Sequence, residues 1–229
     1  MYLVPGECAD FSPSCFAPYV QSSRPEWAWE SALTWLVARC MMGVGEGVSS
    51  SPPSRGIEMG IRHRFDPEKA IEVLLYIARR CPNTYKALKV LYFADRGHLA
   101  RYGRLICGDS YVAMRLGPVP SGAYDLIKDA RGDRYPVTGV KASEAFAVGG
   151  NNQIVPKREA SLDLLSESDV ECLDAAIQEY GRLSFGELKR RSHEEEAFKE
   201  ADVNDFMSLE AIARGLPNGE LLLSYLQDG

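Results

Sequence analysis

Asp95, His98 and Tyr102 are residues whose types and spacing could do chemistry. They stand at i, i+3 and i+7, so on a helix they share one face, with a carboxylate one turn from an imidazole and two turns from a phenol. Such a trio could move a proton or grip a polar ligand. It could equally be a hydrogen-bonded seam that locks a helix to a loop, because an unpartnered buried carboxylate is strongly unfavourable. Either way Asp95 needs partners if it faces inward. The local sequence places no nucleophile and no second catalytic carboxylate beside it, so no catalytic residue is assigned and the chain is not read as an enzyme. Two features further along complete the candidate set: Gly117-Pro118-Val119-Pro120, a rigid loop able to present a binding surface, and His193.

Several motifs imitate chemistry without its parts. Gly117-x-x-x-x-Gly122 opens like a phosphate loop but continues Ala123-Tyr124, where a lysine and a hydroxyl would be required. Gly43-x-Gly45-x-Gly47 lacks a preceding strand and the third spacing of a dinucleotide loop. His63, His98 and His193 are too dispersed to argue for a metal, and no Cys-x-x-Cys pair occurs among the six cysteines. No cofactor is implied. Lys189-Arg190-Arg191 is a small basic patch at an expected helix end, and Glu194-Glu195-Glu196 follows at once and breaks any basic face.

The elements that position these residues are punctuated by caps. Asp66-Pro67-Glu68 opens a helix carrying Ile71, Leu74, Leu75 and Ala78, and Cys81-Pro82 ends it. Thr84 is the expected cap of a second helix with Leu88, Leu91, Tyr92, Asp95, Leu99 and Tyr102 on one stripe, stopped by Gly103. Leu105–Met114 reads as two short extended pieces around Gly108-Asp109. Gly117–Pro120 cannot be helix interior, and Ser121 caps the helix that follows, ending near Arg131-Gly132. A hairpin is expected over Glu144–Val148 and Gln153–Pro156 about Gly149–Asn152. Ser166-x-x-Asp169 and Ser184-x-x-Glu187 are capping boxes, Ser208 starts a short helix, and Leu221–Leu226 closes the chain as an apolar segment. The fold class is mainly α (α+β): one compact domain of six to seven helices with a small β-hairpin, preceded by an irregular N-terminal extension.

Composition marks that extension. The 229 residues carry 45% hydrophobic and 25% charged residues, ordinary globular values, and a formal net charge of −6 that offers nucleic acid no electrostatic footprint. Residues 1–58 hold all three tryptophans and no lysine or histidine, and run into Ser49-Ser50-Ser51-Pro52-Pro53-Ser54 just before Met59. The expectation is an over-extended translation start or a disordered extension over 1–58, with a short helix across Glu26–Arg39 in the competing reading, and a domain over 59–229. The longest apolar stretch, Ala32–Val44, is too short to cross a bilayer and contains Arg39. The opening residues carry acids and no basic n-region of a secretory signal. A reduced, cytoplasmic protein is the expectation.

From Tyr85 to Asp125 the sequence resembles a known family. Lys89-Val-Leu-Tyr-Phe-Ala-Asp95-Arg-Gly-His98-Leu-Ala-Arg-Tyr102-Gly103, then Gly108-Asp-Ser-Tyr-Val-Ala-Met114 and Gly117-Pro-Val-Pro120, resemble the Panacea domain, the SocA-like antitoxin family of phage-associated proteins. Leu188-Lys-Arg-Arg-Ser-His193 to Ala201 is similar to that family's Ser-His element, and Met207–Glu210 to its next helix start, so the resemblance spans about residues 64–227. Phe198 stands where a Pro-Trp type pairing is expected. The resemblance implies an antitoxin of a toxin–antitoxin pair that neutralises a cognate toxin by direct protein binding, in some members as an adaptor to a cytosolic protease. A DNA-binding regulator using Lys189–Arg191 is the alternative, and an enzyme centred on Asp95 and His98 the third reading.

Overall fold

The computed structural model describes residues 64–133 and 139–228. The expected Glu26–Arg39 helix and everything assigned to residues 1–58 lie outside the described residues. Among these residues the chain is mainly helical, with nine α-helices and five short strands. Helix α1 (Pro67–Ala78) starts as its sequence demands: the Asp66 carboxylate accepts the Lys69 amide at 3.0 Å, and Pro67 occupies the first turn, where its missing donor costs nothing. Helix α2 (Thr84–Tyr102) is capped by Asn83, whose Oδ1 accepts the Lys86 amide at 3.1 Å. Thr84, the expected cap, is instead the first helical residue, and its hydroxyl donates to the Asn152 carbonyl at 2.8 Å. Gly103 ends α2 at φ 70°, where a side chain would be strained.

The expected single stripe on α2 understates its burial. Every residue from Ala87 to Asp95 is buried, so α2 is covered all round and is the axis of the fold. Tyr102, placed on the same stripe, is 42% exposed, because the helix emerges from the packing in its last turn.

The segment Leu105–Met114 forms one strand rather than two, β1 (Tyr111–Met114), and the residues before it are an irregular crossing. Gly117–Pro120 is strand β2, antiparallel to β1 with Val112 opposite Val119. The expectation of a loop there is corrected: two prolines fit a strand when it lies at a sheet edge, and β2 does. Strand β5 (Phe206–Met207) borders β1 on the other side, giving the order β2-β1-β5. Helix α3 (Ser121–Arg131) ends at Gly132 as expected, but Ser121 does not cap it; its hydroxyl donates to the Ser110 carbonyl at 3.0 Å.

The hairpin forms as β3 (Phe146–Gly149) and β4 (Gln153–Pro156), with Glu144 and Ala145 taken into a preceding helical turn, α4 (Ala142–Ala145). Both capping boxes form, opening α5 (Glu167–Tyr180) and α6 (Phe185–Glu194). The short helices α7 (Glu196–Glu200) and α8 (Leu209–Arg214) and the closing α9 (Gly219–Asp228) complete the chain. Three of the nine helices, α4, α7 and α8, have four to six residues, too short for periodicity to register, which accounts for the excess over six or seven. Helix α5 lies along α2, and the apolar faces of α6 to α9 close over Tyr92, Phe93 and Leu99. No helix among the described residues is long and apolar enough to cross a membrane.

Candidate functional site

Five of the seven candidate residues lie at two junctions, both built on α2, and Tyr102 and Pro120 stand apart from them. At the first, Asp95 is 1% exposed, and its carboxylate accepts the Ile106 amide at 2.6 Å and the Tyr111 hydroxyl. It therefore ties the central helix to the irregular crossing and to β1. Burial pushes its pKa up to about 6, against the lowering effect of the Tyr111 and Ile106 donors. His98, fully buried one turn on, makes no hydrogen bond to Asp95. Its Nδ1 donates to the Arg104 carbonyl at 2.9 Å, while Nε2 lies 3.1 Å from the Ser168 hydroxyl and 3.2 Å from the Asp169 carboxylate. The geometry is that of a seam locking helix to loop. Tyr102 stands outside it, its hydroxyl donating to Glu171 at 2.8 Å and its ring 4.7 Å from that of His98.

Two carboxylates that sequence reasoning did not select complete this junction. Asp109 accepts the amides of Gly122 and Ala123 at 2.8 Å each, and so caps α3 from a distant point in the chain in place of Ser121. Burial raises its pKa to about 6, opposed by these amides. Asp169, recognised only as half of a capping box, also collects Lys69 Nζ at 2.6 Å and Arg104 Nη2 at 3.2 Å beside His98. Burial works to raise its pKa, but His98, Lys69 and Ser166 together hold it well below the carboxylate range. Asp169 thereby joins α1, α2, the crossing and α5 at one point.

The second junction lies where β2 meets α2 and α6. Lys89 is fully buried, donates from Nζ to the Pro118 carbonyl at 2.5 Å, and sits 5.3 Å from the centre of the Tyr85 ring. It forms no ion pair with a described residue, and burial lowers its pKa well below that of an ordinary lysine. Gly117 has φ +95°, and a Cβ there would come 2.4 Å from Ser192 Oγ and 2.9 Å from Lys89 Nζ, so the position requires glycine for conformation and for space. His193 follows Ser192 and packs its ring 4.5 Å from Phe198; its buried Nε2 has no hydrogen-bond partner. The Phe198 departure thus leaves an aromatic contact in place. Pro120 lies at the far end of β2, opposite Tyr111, and leads into α3.

The basic run is matched by acids. Arg190 pairs with Glu194 at 2.7 Å and Arg191 with Glu179 at 3.0 Å, so neither guanidinium is an unpaired cation. Among the described residues no cluster of three or more His, Cys, Asp or Glu could hold a metal ion.

Residues 88–199 match the family described as antitoxin SocA-like, Panacea domain. The chain is similar to that family over this range. The match is narrower than the 64–227 span of the resemblance; it begins inside α2 and ends inside α7, so the Met207–Glu210 block lies beyond it. All seven candidate residues fall within the Panacea range, as do Lys89, Asp109 and Asp169. The match supports an antitoxin role. No curated protein and no solved structure matches the chain.

Proposed function

We propose that this protein is the antitoxin of a toxin–antitoxin pair and neutralises its cognate toxin by direct protein–protein binding in the cytoplasm. The observation that carries the reading is the Panacea match over residues 88–199, the range containing both junctions on α2. The side-chain geometry is compatible with a binding scaffold. Asp95, Asp109 and Asp169 each hold backbone or side-chain donors of the protein itself, as expected of groups that fix a surface in place. The working unit in this proposal begins near Met59, with residues 1–58 dispensable. Delivery of the toxin to a cytosolic protease, and carriage on a prophage, are finer parts of the same proposal.

The test is genetic. The open reading frame beside this gene should arrest growth when expressed alone, and co-expression of this protein should restore it. A neighbour that is harmless by itself removes the reading. A chain starting at Met59 should rescue as well as the full chain. If the protein is also a protease adaptor, the toxin's cellular half-life should shorten when the two are co-expressed.

A further inference from the structure

The three-stranded sheet has two faces of unlike fate. Tyr111, Ala113, Pro118, Pro120 and Met207 point into the core and are all buried. Because side chains alternate along a strand, Val112, Val119 and Phe206 share the opposite face, and the register sets Val112 directly across from both of the others. Met114 continues that face along β1. The row is wholly apolar, with Phe206 at 59% exposure and Val203, three residues earlier, at 67%. Exposed aromatic residues on a firm support are typical anchors of protein interfaces.

The support is firm. The Ala113 amide donates to the Asp205 carbonyl at 2.9 Å and the Asn204 amide to the Ala113 carbonyl at 2.7 Å, with Asn204 at φ +69°. The Asp205 amide closes back on the Asp202 carbonyl at 3.0 Å. An apolar side chain presented from a pinned segment loses little freedom on binding. The sheet edges are poor targets for strand addition. One edge carries Pro118 and Pro120, and at the other the Phe206 amide already donates to the Asp205 carboxylate at 2.8 Å. The face, rather than an edge, is the part left for a partner.

The surrounding charge says what kind of partner. Residues 194–210 contain seven acidic residues and one lysine, a local excess equal to the net charge of the whole chain. Glu194, Glu195 and Glu200 are paired with Arg190, Arg96 and Arg214. Asp202 and Asp205, which flank Val203 and Phe206, form no ion pair with any described residue. The exposed Arg115 follows Met114 just beyond β1, at the end of the strand where Ala113 pairs with Asn204 and Asp205. We infer that the Val112–Val119–Phe206 face, rimmed by Asp202 and Asp205, is the docking surface for the toxin, and that it takes a toxin surface with an apolar centre flanked by lysine or arginine. The inference rests on the antitoxin reading.

The experiment uses the full-length protein and the purified product of the neighbouring toxin gene, with affinity and association rate measured at low and moderate salt. Phe206→Ala should leave the melting temperature unchanged, since the ring is mostly exposed, and weaken binding at least thirty-fold, on the order of an interface anchor. The double variant Asp202→Asn, Asp205→Asn keeps the amide acceptor on residue 205; it should slow association several-fold and flatten the salt dependence. Leu221→Ala, at an exposed position on α9, should bind like the wild type. Unchanged affinity in Phe206→Ala overturns the proposal, and so does loss of binding in Leu221→Ala. Self-association of the free protein that Phe206→Ala abolishes would make the face a contact between copies and overturn it too. If the wild type fails to bind or rescue, the antitoxin reading itself falls, which is a different result from a wild type that binds while Phe206→Ala binds equally well.

Discussion

The two junctions on α2 bury charge in opposite ways. Around Asp95, Asp109 and Asp169 the buried groups are carboxylates, and each is met by amides, hydroxyls or cations from another segment. Around Lys89 the buried group is an amine with one carbonyl partner and no carboxylate, next to a histidine whose Nε2 is unpartnered. A carboxylate has acceptor sites enough to gather several backbone donors at once, so one side chain can pin an irregular segment. An ammonium needs acceptors instead, and a single carbonyl leaves it poorly compensated for the loss of water. The first junction is therefore built to hold the crossing 104–110 in place. The second is held mainly by fit: a glycine with positive φ, and a ring packed at a tilt against a ring.

The sharpest test of this difference is Asp169→Ala. It removes the shared partner of Lys69, His98 and Arg104, leaving two cationic side chains and a buried imidazole without it. Loss of one member of a buried charge network costs about 3–5 kcal/mol, and urea unfolding of the variant and the wild type is the check. The folded pKa of Asp169 is depressed below the ordinary 3.8, so its contribution is present above that range and fades as pH falls through it. The deficit of the variant should shrink in step. A deficit under about 1 kcal/mol would mean that the network is not what fixes the crossing.

Asp95→Asn comes next. An asparagine offers one acceptor oxygen where the carboxylate used two, so either the Ile106 amide or the Tyr111 hydroxyl is left facing a donor, at about 1–3 kcal/mol. Burial has raised the folded pKa of Asp95 to about 6, above its ordinary 3.8. The folded protein therefore keeps this proton after the unfolded chain has lost it, and that stabilisation is full below about 4 and lost as pH rises through about 6. The wild-type advantage over Asp95→Asn should be greatest near pH 4 and decline toward pH 6. A deficit that is flat over this window would show that Asp95 does not titrate there. The variant should still rescue growth once folded, whereas a catalytic carboxylate would lose activity with stability kept.

Local signals in the sequence carried most of the helix starts and little of the site. Asp66, Ser166, Ser184 and Ser208 cap their helices because the capping oxygen and the amide it accepts are three residues apart. Asp109 performs the same task on α3 from 13 and 14 residues away, and no short window holds both partners. Asp95 was legible as a buried acid because it interrupts an apolar stripe, but Ile106 and Tyr111 could not be named from spacing. Lys89 was passed over because a lysine within a helix usually reaches solvent. Its burial follows from the position of β2 against α2, a tertiary fact. Tyr102 failed in the converse way: periodicity continued to the end of the helix, and the packing did not.

Gly117→Ala probes fit at the second junction. At φ +95° an alanine is strained, and its Cβ would crowd Ser192 Oγ and Lys89 Nζ, both on fully buried side chains. The expected loss is about 1–3 kcal/mol, with the melting temperature as readout. A variant as stable as the wild type would mean that the backbone there relaxes without cost and that the junction is not held by fit.

Lys89→Met should have the smallest effect although Lys89 is among the largest fully buried side chains. The change removes one hydrogen bond and leaves the Pro118 carbonyl without its donor, which is unfavourable. It also removes an amine whose burial is poorly compensated, which is favourable, and replacing buried ionic groups by apolar ones of like volume is often neutral. The two effects oppose, and the net change should lie within about 1 kcal/mol at neutral pH. Its pH dependence has a definite sign. The folded pKa of Lys89 lies below the ordinary 10.5, so the unfolded chain binds this proton more readily, and wild-type stability relative to Lys89→Met should rise as pH approaches 10.5 from below. A loss as large as that of Asp169→Ala would erase the contrast between the junctions, because it would show the amine to be as well compensated as the carboxylates. A protein that keeps its stability and loses rescue would instead give Lys89 a part in toxin binding that its burial does not suggest.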